Sequence, residues 1–510
     1  MQYLNLSKNS IKNQNNLKLI LIKVIITILS FWTLFLLYNY KNIFSGDSEI
    51  HIIFAKNFLN GNPFQFNPGY FSGGQSSTLY MIWNSILLKI LGKYLPYGMK
   101  GISFLSFIWV FILIFKANNS KNNLFKLLGA LLFSSLCFIP FQSMQGMENF
   151  LFAALVSTIV FYEIKKFKIS RSCIFLTIVF SFLLRPEGIL VGIYFLTSSI
   201  INRRRKSFLY SIFAILICFV IYKTLILITG TGSYNAGLIR SYTSRLTGIP
   251  IDLNYSNIFI SKKAFVALAY SLPLIISLIF NYKHLDRNAL NAVGIFFILP
   301  SIMHIFLFFP DTHISRYLLY SYSVLFIIFV KYSFPKFSDI AIFLLITYIL
   351  TISFNEFIAR KNLPFYSVED SVKTIMSDNF KRNISNELYE KFSKNSEKII
   401  IATVEVQIRG VLDDRFEVWP LDGITDIKLR KYVNEKDIDH FSYLKERSIN
   451  LLMNMPNYNI DKSIYSLNSI ENELEEGKES VCYKNLKFTK NNFKSDYVNN
   501  KFYEISSCDN

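Results

Sequence analysis

The chain has 510 residues, of which 52% are hydrophobic and 17% charged, with a formal net charge of +19. Several apolar runs approach the roughly 20 residues that a helix needs to cross a bilayer, which excludes a soluble protein with a single core. Most Lys and Arg residues of the first 340 positions stand in short clusters between these runs, as the positive-inside rule describes for membrane proteins. The positive charge therefore does not indicate binding to nucleic acid.

The apolar runs predict a polytopic α-helical membrane protein whose N-terminus is cytoplasmic and whose first span is an uncleaved anchor. The run 78–92 is interpreted as interfacial or re-entrant, because counting it as a crossing would place three later basic segments outside. About 11 crossings remain, so the tail should lie on the same, extracytoplasmic side as Asp47. The expected location is the cytoplasmic (inner) membrane. The predicted spans are 18–40, 98–116, 124–140, 148–164, 172–185, 188–201, 207–229, 264–281, 289–309, 316–331 and 337–354.

The composition changes after residue 354 and divides the chain into two predicted domains. Residues 1–354 form the membrane domain, whose outer-face loop 41–97 carries an acidic motif, and residues 355–510 form a soluble, extracytoplasmic mixed α/β domain. The tail contains two helix-like runs, 369–381 and 384–394, followed by β-like runs at 398–406, 416–419 and 449–453. Its two cysteines, Cys482 and Cys508, are predicted to form a disulfide, which this compartment permits; the alternative is two free thiols.

The loop after the first span concentrates polar residues at the predicted membrane surface. Asp47 and Glu49 could act as a general base toward a sugar hydroxyl or hold a metal ion. The structural alternative is that Asp47 only caps the helix that follows. His51 and Lys56 lie on this helix, whose apolar residues have helical spacing. An isolated histidine such as His51 is more often a hydrogen-bonded surface residue than a ligand.

The other predicted outer loops add acids and arginines. Arg185 and Glu187 lie at the apex of two short spans, where they form either a functional pair or an internal ion pair that holds the hairpin. Glu148 opens another span and could be a first-turn acid favoured by the helix dipole. Asp311, His313 and Arg316 form a third group, and the long loop 230–262, which carries Arg240, is long enough for a lid. Arginines suit phosphate and acids suit hydroxyl groups, so the residues indicate a site for a phosphorylated, lipidic substrate.

A series of motifs resembles the GT-C superfamily of polytopic glycosyltransferases that use polyprenyl-phosphate sugars. The similarity is greatest to the branch of the mycobacterial terminal arabinofuranosyltransferases and their uncharacterised bacterial relatives. The matching segments are Asp47, Phe54-Ala55-Lys56-Asn57, Asn67-Pro68-Gly69, Gly74-Gln75-Ser76-Ser77, Gly146-Met147-Glu148, Arg185-Pro186-Glu187-Gly188, Arg316-Tyr317-Leu318-Leu319 and Leu421-Asp422-Gly423-Ile424-Thr425-Asp426. They occur in order along the chain, which is more specific than any single match.

Four positions depart from the family pattern. Gly46 stands where the family has the first aspartate of a pair, Ser76 replaces Thr, Thr78 replaces Pro and Tyr80 replaces Trp. The missing acid argues against a metal site made of two carboxylates and leaves Asp47 as the expected base, with Glu49 as its possible substitute. No cofactor is expected to be required.

The resemblance implies an inverting membrane glycosyltransferase. It would transfer a sugar from a polyprenyl-phosphate donor in the membrane lipid to a glycan, lipid or protein acceptor of the cell envelope. Two alternatives remain: a transporter or flippase of a lipid-linked sugar, and an inactive scaffold of the same fold. The expected site residues are Asp47 and Glu49 for catalysis, Arg185, Arg240 and Arg316 for the donor phosphate, and His51, Lys56, Asn57, Glu148, Glu187 and Asp311 for substrate binding.

Overall fold

The computed structural model shows a helical N-terminal part and a mixed β-sheet in the tail, as the sequence predicts. It describes residues 2–72, 77–167, 169–229, 262–301, 318–336, 338–361, 366–393, 398–403, 406–421, 440–454, 480–483, 486–491 and 501–508. The helices before the tail are α1 (Gln2–Tyr40), α2 (Gly46–Leu59), α3 (Thr78–Leu91), α4 (Leu95–Ala117), α5 (Asn123–Ser134), α6 (Phe138–Ser143), α7 (Asn149–Ile164), α8 (Arg171–Leu184), α9 (Ile189–Ile201), α10 (Arg205–Thr229), α11 (Lys262–Phe280), α12 (Arg287–Val293), α13 (Leu319–Tyr332) and α14 (Asp339–Lys361).

Four segments of the described residues are long and apolar enough to cross a membrane: Leu19–Tyr40, Thr78–Ala117, Arg205–Thr229 and Ile340–Arg360. The other apolar helices are shorter, and α8 and α9 match the predicted spans 172–185 and 188–201 within a few residues. The number of crossings and their orientation stay predictions.

The predicted span 124–140 is not one continuous helix, because α5 ends at Ser134 and α6 begins at Phe138, and its crossing of the membrane stays a prediction. Pro140 lies in the first turn of α6, where its missing N–H is tolerated. Inside one long helix, it would remove a backbone hydrogen bond and clash with the preceding turn. The chain therefore breaks and restarts before this proline.

The tail adds α15 (Val368–Lys373), α16 (Asp378–Phe392) and α17 (His440–Glu446) to a six-stranded sheet. The sheet order is β4-β3-β5-β8-β7-β6, in which β3 pairs in parallel with β4 and β5 and the remaining neighbours are antiparallel. A disulfide joins Cys482 of β6 to Cys508 just after β8, which confirms the predicted pairing. The strands are β3 (Ile399–Thr403), β4 (Phe416–Pro420), β5 (Leu451–Asn454), β6 (Ser480–Tyr483), β7 (Leu486–Asn491) and β8 (Lys501–Ser507).

The tail packs directly against the segment that follows α1. The two-residue strands β1 (Ile43–Phe44) and β2 (Tyr366–Ser367) pair antiparallel, and the N–H of Val368 donates to the carbonyl of Asn42 at 2.8 Å. Buried residues of the tail, such as Ile401 and Val418, belong to the same hydrophobic cluster as Leu128 and Phe150 of the helical part. The tail therefore lies on the same side of the helices as the acidic motif.

Candidate functional site

Helix α2 positions the acidic motif. Its N-cap is Ser45, whose hydroxyl accepts a hydrogen bond from the N–H of Asp47 at 3.3 Å, so the interpretation that Asp47 caps the helix is wrong. Asp47 lies instead in the first turn, half-buried. His51 follows four residues later and shares its face of the helix. The apolar side chains of Ile50, Ile53 and Phe54 are buried and hold α2 in place, as the helical spacing predicts.

The Gly-Met-Glu turn is tied to the start of α2. Gly146 has φ of +72°, and a Cβ atom there would lie 2.5 Å from the ring of Phe44, so only glycine fits both conditions. The carbonyl of Gln145 accepts from the Ser45 N–H at 3.1 Å and from the Ser48 hydroxyl at 2.9 Å. The Tyr80 hydroxyl donates to the Gly146 carbonyl at 2.8 Å. These bonds place Glu148 next to α2.

The Arg-Pro-Glu-Gly segment forms the turn between α8 and α9. Arg185 is the extended C-cap residue of α8, and Pro186–Gly188 form a single 3₁₀ turn. A Cβ atom on Gly188 would lie 2.1 Å from the backbone carbon of Ser181, so a side chain at this position would force the two helices apart. Glycine thus allows a tight turn that brings Arg185 and Glu187 close to each other.

The three motifs meet in one buried ionic cluster. We define the acid–arginine cluster as His51, Glu148, Asn149, Arg185 and Glu187. Arg185 Nη1 lies 3.2 Å from Glu148 Oε1, and Arg185 Nη2 lies 2.9 Å from Glu187 Oε1. Arg185 also donates to the side-chain carbonyl of Asn149. His51 Nε2 lies 3.2 Å from Glu148 Oε2, which links the cluster to α2 and to Asp47 one turn away.

The burial of this cluster explains why its members are paired. The side chains of Glu148 and Arg185 are only 2% and 7% exposed, and a buried charge without a partner is costly. His51 is also buried, so its interpretation as a surface residue is wrong. Glu148 makes ion pairs with the neighbouring motifs in addition to preceding α7. The interpretation of Arg185 and Glu187 as an internal ion pair is consistent with this geometry.

The guanidinium of Arg185 donates most of its hydrogen bonds to side chains of the protein itself. In this cluster one guanidinium contacts two carboxylates. Glu187 is the more exposed of the two acids, with 26% of its side chain accessible. A phosphate that binds Arg185 would therefore have to displace Glu187. The role of Arg185 in donor binding stays a prediction.

Three other predicted site residues contact neighbouring segments. Glu49 is buried, and its Oε1 accepts from the hydroxyl of Ser371 in α15 at 2.6 Å. Lys56 donates to the carbonyl of Ile375, and burial lowers the pKa of Lys56 to about 8, with a further decrease from nearby Lys381. Glu49 and Lys56 thus connect α2 to the tail.

Asn57 instead holds the loop that follows α2. Its amide donates to the carbonyls of Gln65 and Phe66 at 2.8 and 2.9 Å. This folds the loop back onto the end of the helix. The predicted substrate contacts of Asn57 stay predictions.

Several predicted site residues lie outside the described residues. These are Arg240 and the proposed lid, the group Asp311, His313 and Arg316, part of the segment Gly74-Gln75-Ser76-Ser77, and most of the Leu421–Asp426 motif. Their roles stay predictions.

Sequence reasoning missed Asn149, Lys100 and Ser371. Asn149 directly follows the Gly-Met-Glu motif, so its position was a usable signal. Lys100 is a lone, buried cation at the start of an apolar helix, and it donates to the carbonyls of Lys41 and Ile43, the latter at 2.8 Å. Ser371 lies far away in the sequence and offered no signal. Lys100 and Ser371 hold the segment around Asp47 in place, and Asn149 accepts a hydrogen bond from Arg185.

A second ion pair, between buried Glu163 and exposed Arg204, lies at the other end of α7. Glu163 accepts from Arg204 at 3.0 Å and from Ser198 at 3.1 Å, and Asn288 of α12 lies at 3.4 Å. These contacts join α7, α9 and α12. Both Glu163 oxygens have partners within this group, so the pair serves to hold short helices together.

The side chains of the candidate site can also be assessed as metal ligands. Among the described residues, no group of three or more His, Cys, Asp or Glu side chains is placed to hold a metal ion. In the acid–arginine cluster, the position between the two carboxylates is taken by Arg185, whose guanidinium supplies the positive charge there.

The chain was compared with family models, curated proteins and solved structures. No family model matches the chain, and no curated protein matches it. The structure is similar to that of the oligosaccharyltransferase of Archaeoglobus fulgidus, which was solved in complex with zinc and sulfate. The TM-score is 0.44 and the identity 11%, over 84% of this chain and 67% of the other.

Proposed function

We propose that the chain is a membrane glycosyltransferase that transfers a sugar from a polyprenyl-phosphate donor to an acceptor hydroxyl. The observation that carries this proposal is the meeting of three distant motifs in one acid–arginine cluster beside Asp47. Each motif resembles one of the GT-C glycosyltransferases that use polyprenyl-phosphate sugars. Helix α2, which contributes His51 to the cluster, also contacts the tail through Glu49 and Lys56, which suits a polar acceptor held near the tail.

Asp47 is the proposed general base. Its carboxylate removes the proton of the acceptor hydroxyl while the acceptor oxygen attacks the anomeric carbon of the donor sugar. The bond between that carbon and the phosphate oxygen breaks, and polyprenyl phosphate leaves with the electron pair. A base positioned in this way typically contributes a factor of about 10²–10⁴ in rate. One displacement inverts the configuration at the anomeric carbon.

The acid–arginine cluster is proposed to position α2 and to help bind the donor phosphate. His51 and Glu148 fix the orientation of the helix face that carries Asp47. Arg185 can contact a phosphate if Glu187 moves away, and Arg240 and Arg316 are proposed as additional phosphate ligands. The lysine and asparagine of α2, Lys56 and Asn57, then act mainly by holding the tail and the following loop.

The direct test is incubation of the purified protein with a panel of synthetic polyprenyl-phosphate sugars. A glycosyltransferase releases polyprenyl phosphate in an acceptor-dependent way, and the product carries the inverted anomeric configuration. A flippase would move the lipid in vesicles without releasing phosphate, and an inactive scaffold would do neither. Absence of release across the panel with cell-envelope acceptors would refute the proposal.

The proposed side of the membrane is extracytoplasmic, with the tail on the same side as Asp47. The packing of β2 against β1 and the disulfide between Cys482 and Cys508 support this arrangement, because disulfides persist in oxidising compartments. Reporter fusions after Arg204 and after Asn500 test it. A cytoplasmic signal from the Asn500 fusion would contradict the orientation.

A further inference from the structure

Lysines from three separate segments converge where α5 begins and where α7 and α13 end. We define the lysine cluster as Lys126, Lys165, Lys166 and Lys331. Lys331 donates to the carbonyl of Ile164, the residue next to Lys165. The ring of Phe125 stacks on that of Phe334 with centroids 4.7 Å apart, which holds the start of α5 against the turn after α13. The three segments are therefore in direct contact.

The positive charges of the lysine cluster are incompletely balanced. Burial lowers the pKa of Lys165, and the charge of Lys126 lowers it further. Lys331 is attracted to Asp286, whose carboxylate lies 3.9 Å from its ammonium group, but it is repelled by Lys165 and Lys166. Within the described part of the chain, Lys126, Lys165 and Lys166 form no ion pair with a carboxylate. An anion bound among these lysines would therefore relieve their repulsion.

Two general rules explain these lysines only in part. The positive-inside rule concerns the number of basic residues in each loop, and it does not require three segments to bring their lysines together. The helix dipole favours cations at the ends of α7 and α13. It disfavours Lys126, which is among the first four residues of α5. The convergence therefore points to a ligand rather than to topology or helix capping alone.

The end of α7 has a lysine at a position where glycine is usual. The N–H of Lys166 donates to the carbonyl of Glu163 at 3.1 Å, and the N–H of Phe167 donates to the carbonyl of Tyr162 at 2.9 Å. This pair of bonds is the Schellman motif, whose left-handed residue is most often glycine. Lys166 has φ of +60°, a conformation that is strained for a residue with a side chain. Its charge is thus placed in the cluster at the expense of an unfavourable backbone conformation.

Exposed aromatic rings beside the cluster indicate that the anion belongs to a lipid. Tyr162 and Phe167 are 41% and 51% exposed, and their ring centroids lie 5.4 Å apart. Tyrosine is enriched at the level of the lipid headgroups, and an exposed phenylalanine next to it offers an apolar contact to an acyl chain. Basic pockets between membrane helices bind the headgroups of anionic lipids. A soluble phosphate would contact the lysines but would gain nothing from the rings.

We propose that the lysine cluster binds the headgroup phosphate of an anionic phospholipid. Helix α7 separates this cluster from the acid–arginine cluster, and its 16 residues span about 24 Å. The bound lipid is therefore distinct from the proposed sugar donor, whose phosphate lies near Arg185 in the proposed mechanism. The inference does not depend on that mechanism. The lipid neutralises the lysines and connects α5, α7 and α13 at this end of the helices.

The test measures lipid binding by native mass spectrometry of the full-length protein in a neutral detergent. The probes are short-chain phosphatidylglycerol, which is anionic, phosphatidylcholine, which carries the same phosphate without a net charge, and inorganic phosphate. We expect the protein to retain phosphatidylglycerol at least about tenfold more tightly than phosphatidylcholine. Inorganic phosphate at the same concentration should not be retained.

Lys166→Gly separates the charge of this lysine from its structural role. Glycine suits a φ of +60°, so the unfolding temperature should stay the same or rise, while the affinity for phosphatidylglycerol falls about fivefold. Lys165→Gln/Lys166→Gln should lower this affinity about 25-fold and leave that for phosphatidylcholine unchanged. The matched control, Arg205→Gln/Lys206→Gln, removes two exposed positive charges from the start of α10 and should bind like the wild type.

Four results would overturn the proposal. Equal retention of the two lipids by the wild type would show that the protein does not select an anionic headgroup. Wild-type affinity in both lysine variants would exclude these lysines as ligands. An equal loss in the control would indicate an effect of general surface charge rather than a site. Retention of inorganic phosphate as tightly as phosphatidylglycerol would make the cluster a site for a soluble anion.

Discussion

Asp47→Asn separates catalysis from structure more sharply than any other single change in this chain. Asp47 is half-buried in the first turn of α2, and the helix is capped by Ser45 rather than by Asp47. The substitution keeps the size and shape of the side chain and leaves the Ser45 cap intact. It removes the basic carboxylate and one negative charge near the helix N-terminus.

The two expected effects differ greatly in size. Loss of a charge in the first helical turn is worth about 0.3–1 kcal/mol of stability, so the protein should insert and fold normally. Loss of the general base should lower turnover by a factor of about 10²–10⁴, equivalent to about 3–5 kcal/mol of activation free energy. Donor binding should change little, because the acid acts on the acceptor.

Glu49→Gln is the matched control on the same helix. Glu49 is buried and accepts from Ser371, so removing its charge weakens a hydrogen bond between α2 and the tail. We expect a loss of about 1 kcal/mol in stability, the difference between a charged and a neutral hydrogen bond. Turnover at a temperature where the variant is folded should stay much closer to that of the wild type than in Asp47→Asn.

Single-turnover assays with an active donor, combined with thermal unfolding in detergent, distinguish the two acids. Near-wild-type turnover in Asp47→Asn together with a large loss in Glu49→Gln would make Glu49 the base, as the sequence allowed. Near-wild-type turnover in both variants would refute general-base catalysis from α2. Aggregation of Asp47→Asn would show that this carboxylate has a structural role that the cap geometry does not reveal.

The other predictions concern pH, the disulfide and the second ion pair. Because the pKa of Lys56 is lowered from 10.5 to about 8, the folded state binds fewer protons than the unfolded state between these pH values, so the free energy of unfolding should rise with pH there. Lys56→Met should flatten this rise in denaturation midpoints measured at pH 8 and pH 10, and equal slopes would contradict the assignment. Cys482→Ser should leave Cys508 open to thiol labelling and lower the unfolding temperature of the tail, and a wild-type Cys508 that already reacts would disprove the disulfide. Glu163→Gln should cost about 1–3 kcal/mol of stability without changing donor affinity, whereas a loss of affinity would indicate that the pair lies on a substrate path.

Local patterns in the sequence predicted most of the helical part but only half of the tail sheet. The runs 398–406, 416–419 and 449–453 correspond to β3, β4 and β5, which are rich in Ile, Val and Leu. The remaining strands, β6 to β8, were not predicted. Their sequences, such as Leu-Lys-Phe-Thr-Lys-Asn in β7, mix lysine and asparagine with isolated apolar residues. Their pairing depends on β5, whose partner β8 follows it by many residues, so no local signal reveals it.

In the candidate site, too, the sequence predicted some features and could not reveal others. The sequence placed Asp47, Glu148 and Arg185 at the same predicted face, because all three motifs follow or begin apolar runs, and the structure joins Glu148 to Arg185 and to His51 of α2. It could not show that Arg185 binds Glu148 as well as Glu187 or that Glu49 turns toward Ser371. Those contacts depend on the rotation of α2 about its own axis. Hydrophobic spacing alone does not define that rotation precisely enough to show which neighbour each polar side chain of α2 contacts.

The arrangement of charge also bears on Gly46, the position where the motif that this chain resembles has a second acid. A pair of carboxylates at the start of α2 would need a cation beside it, because two adjacent anions in a partly buried site raise each other's pKa. Here the nearby guanidinium of Arg185 is already shared by Glu148 and Glu187. With glycine at position 46, Asp47 is the first carboxylate of α2. One acid suffices for proton removal, so the chain can lose the second acid and keep the proposed chemistry.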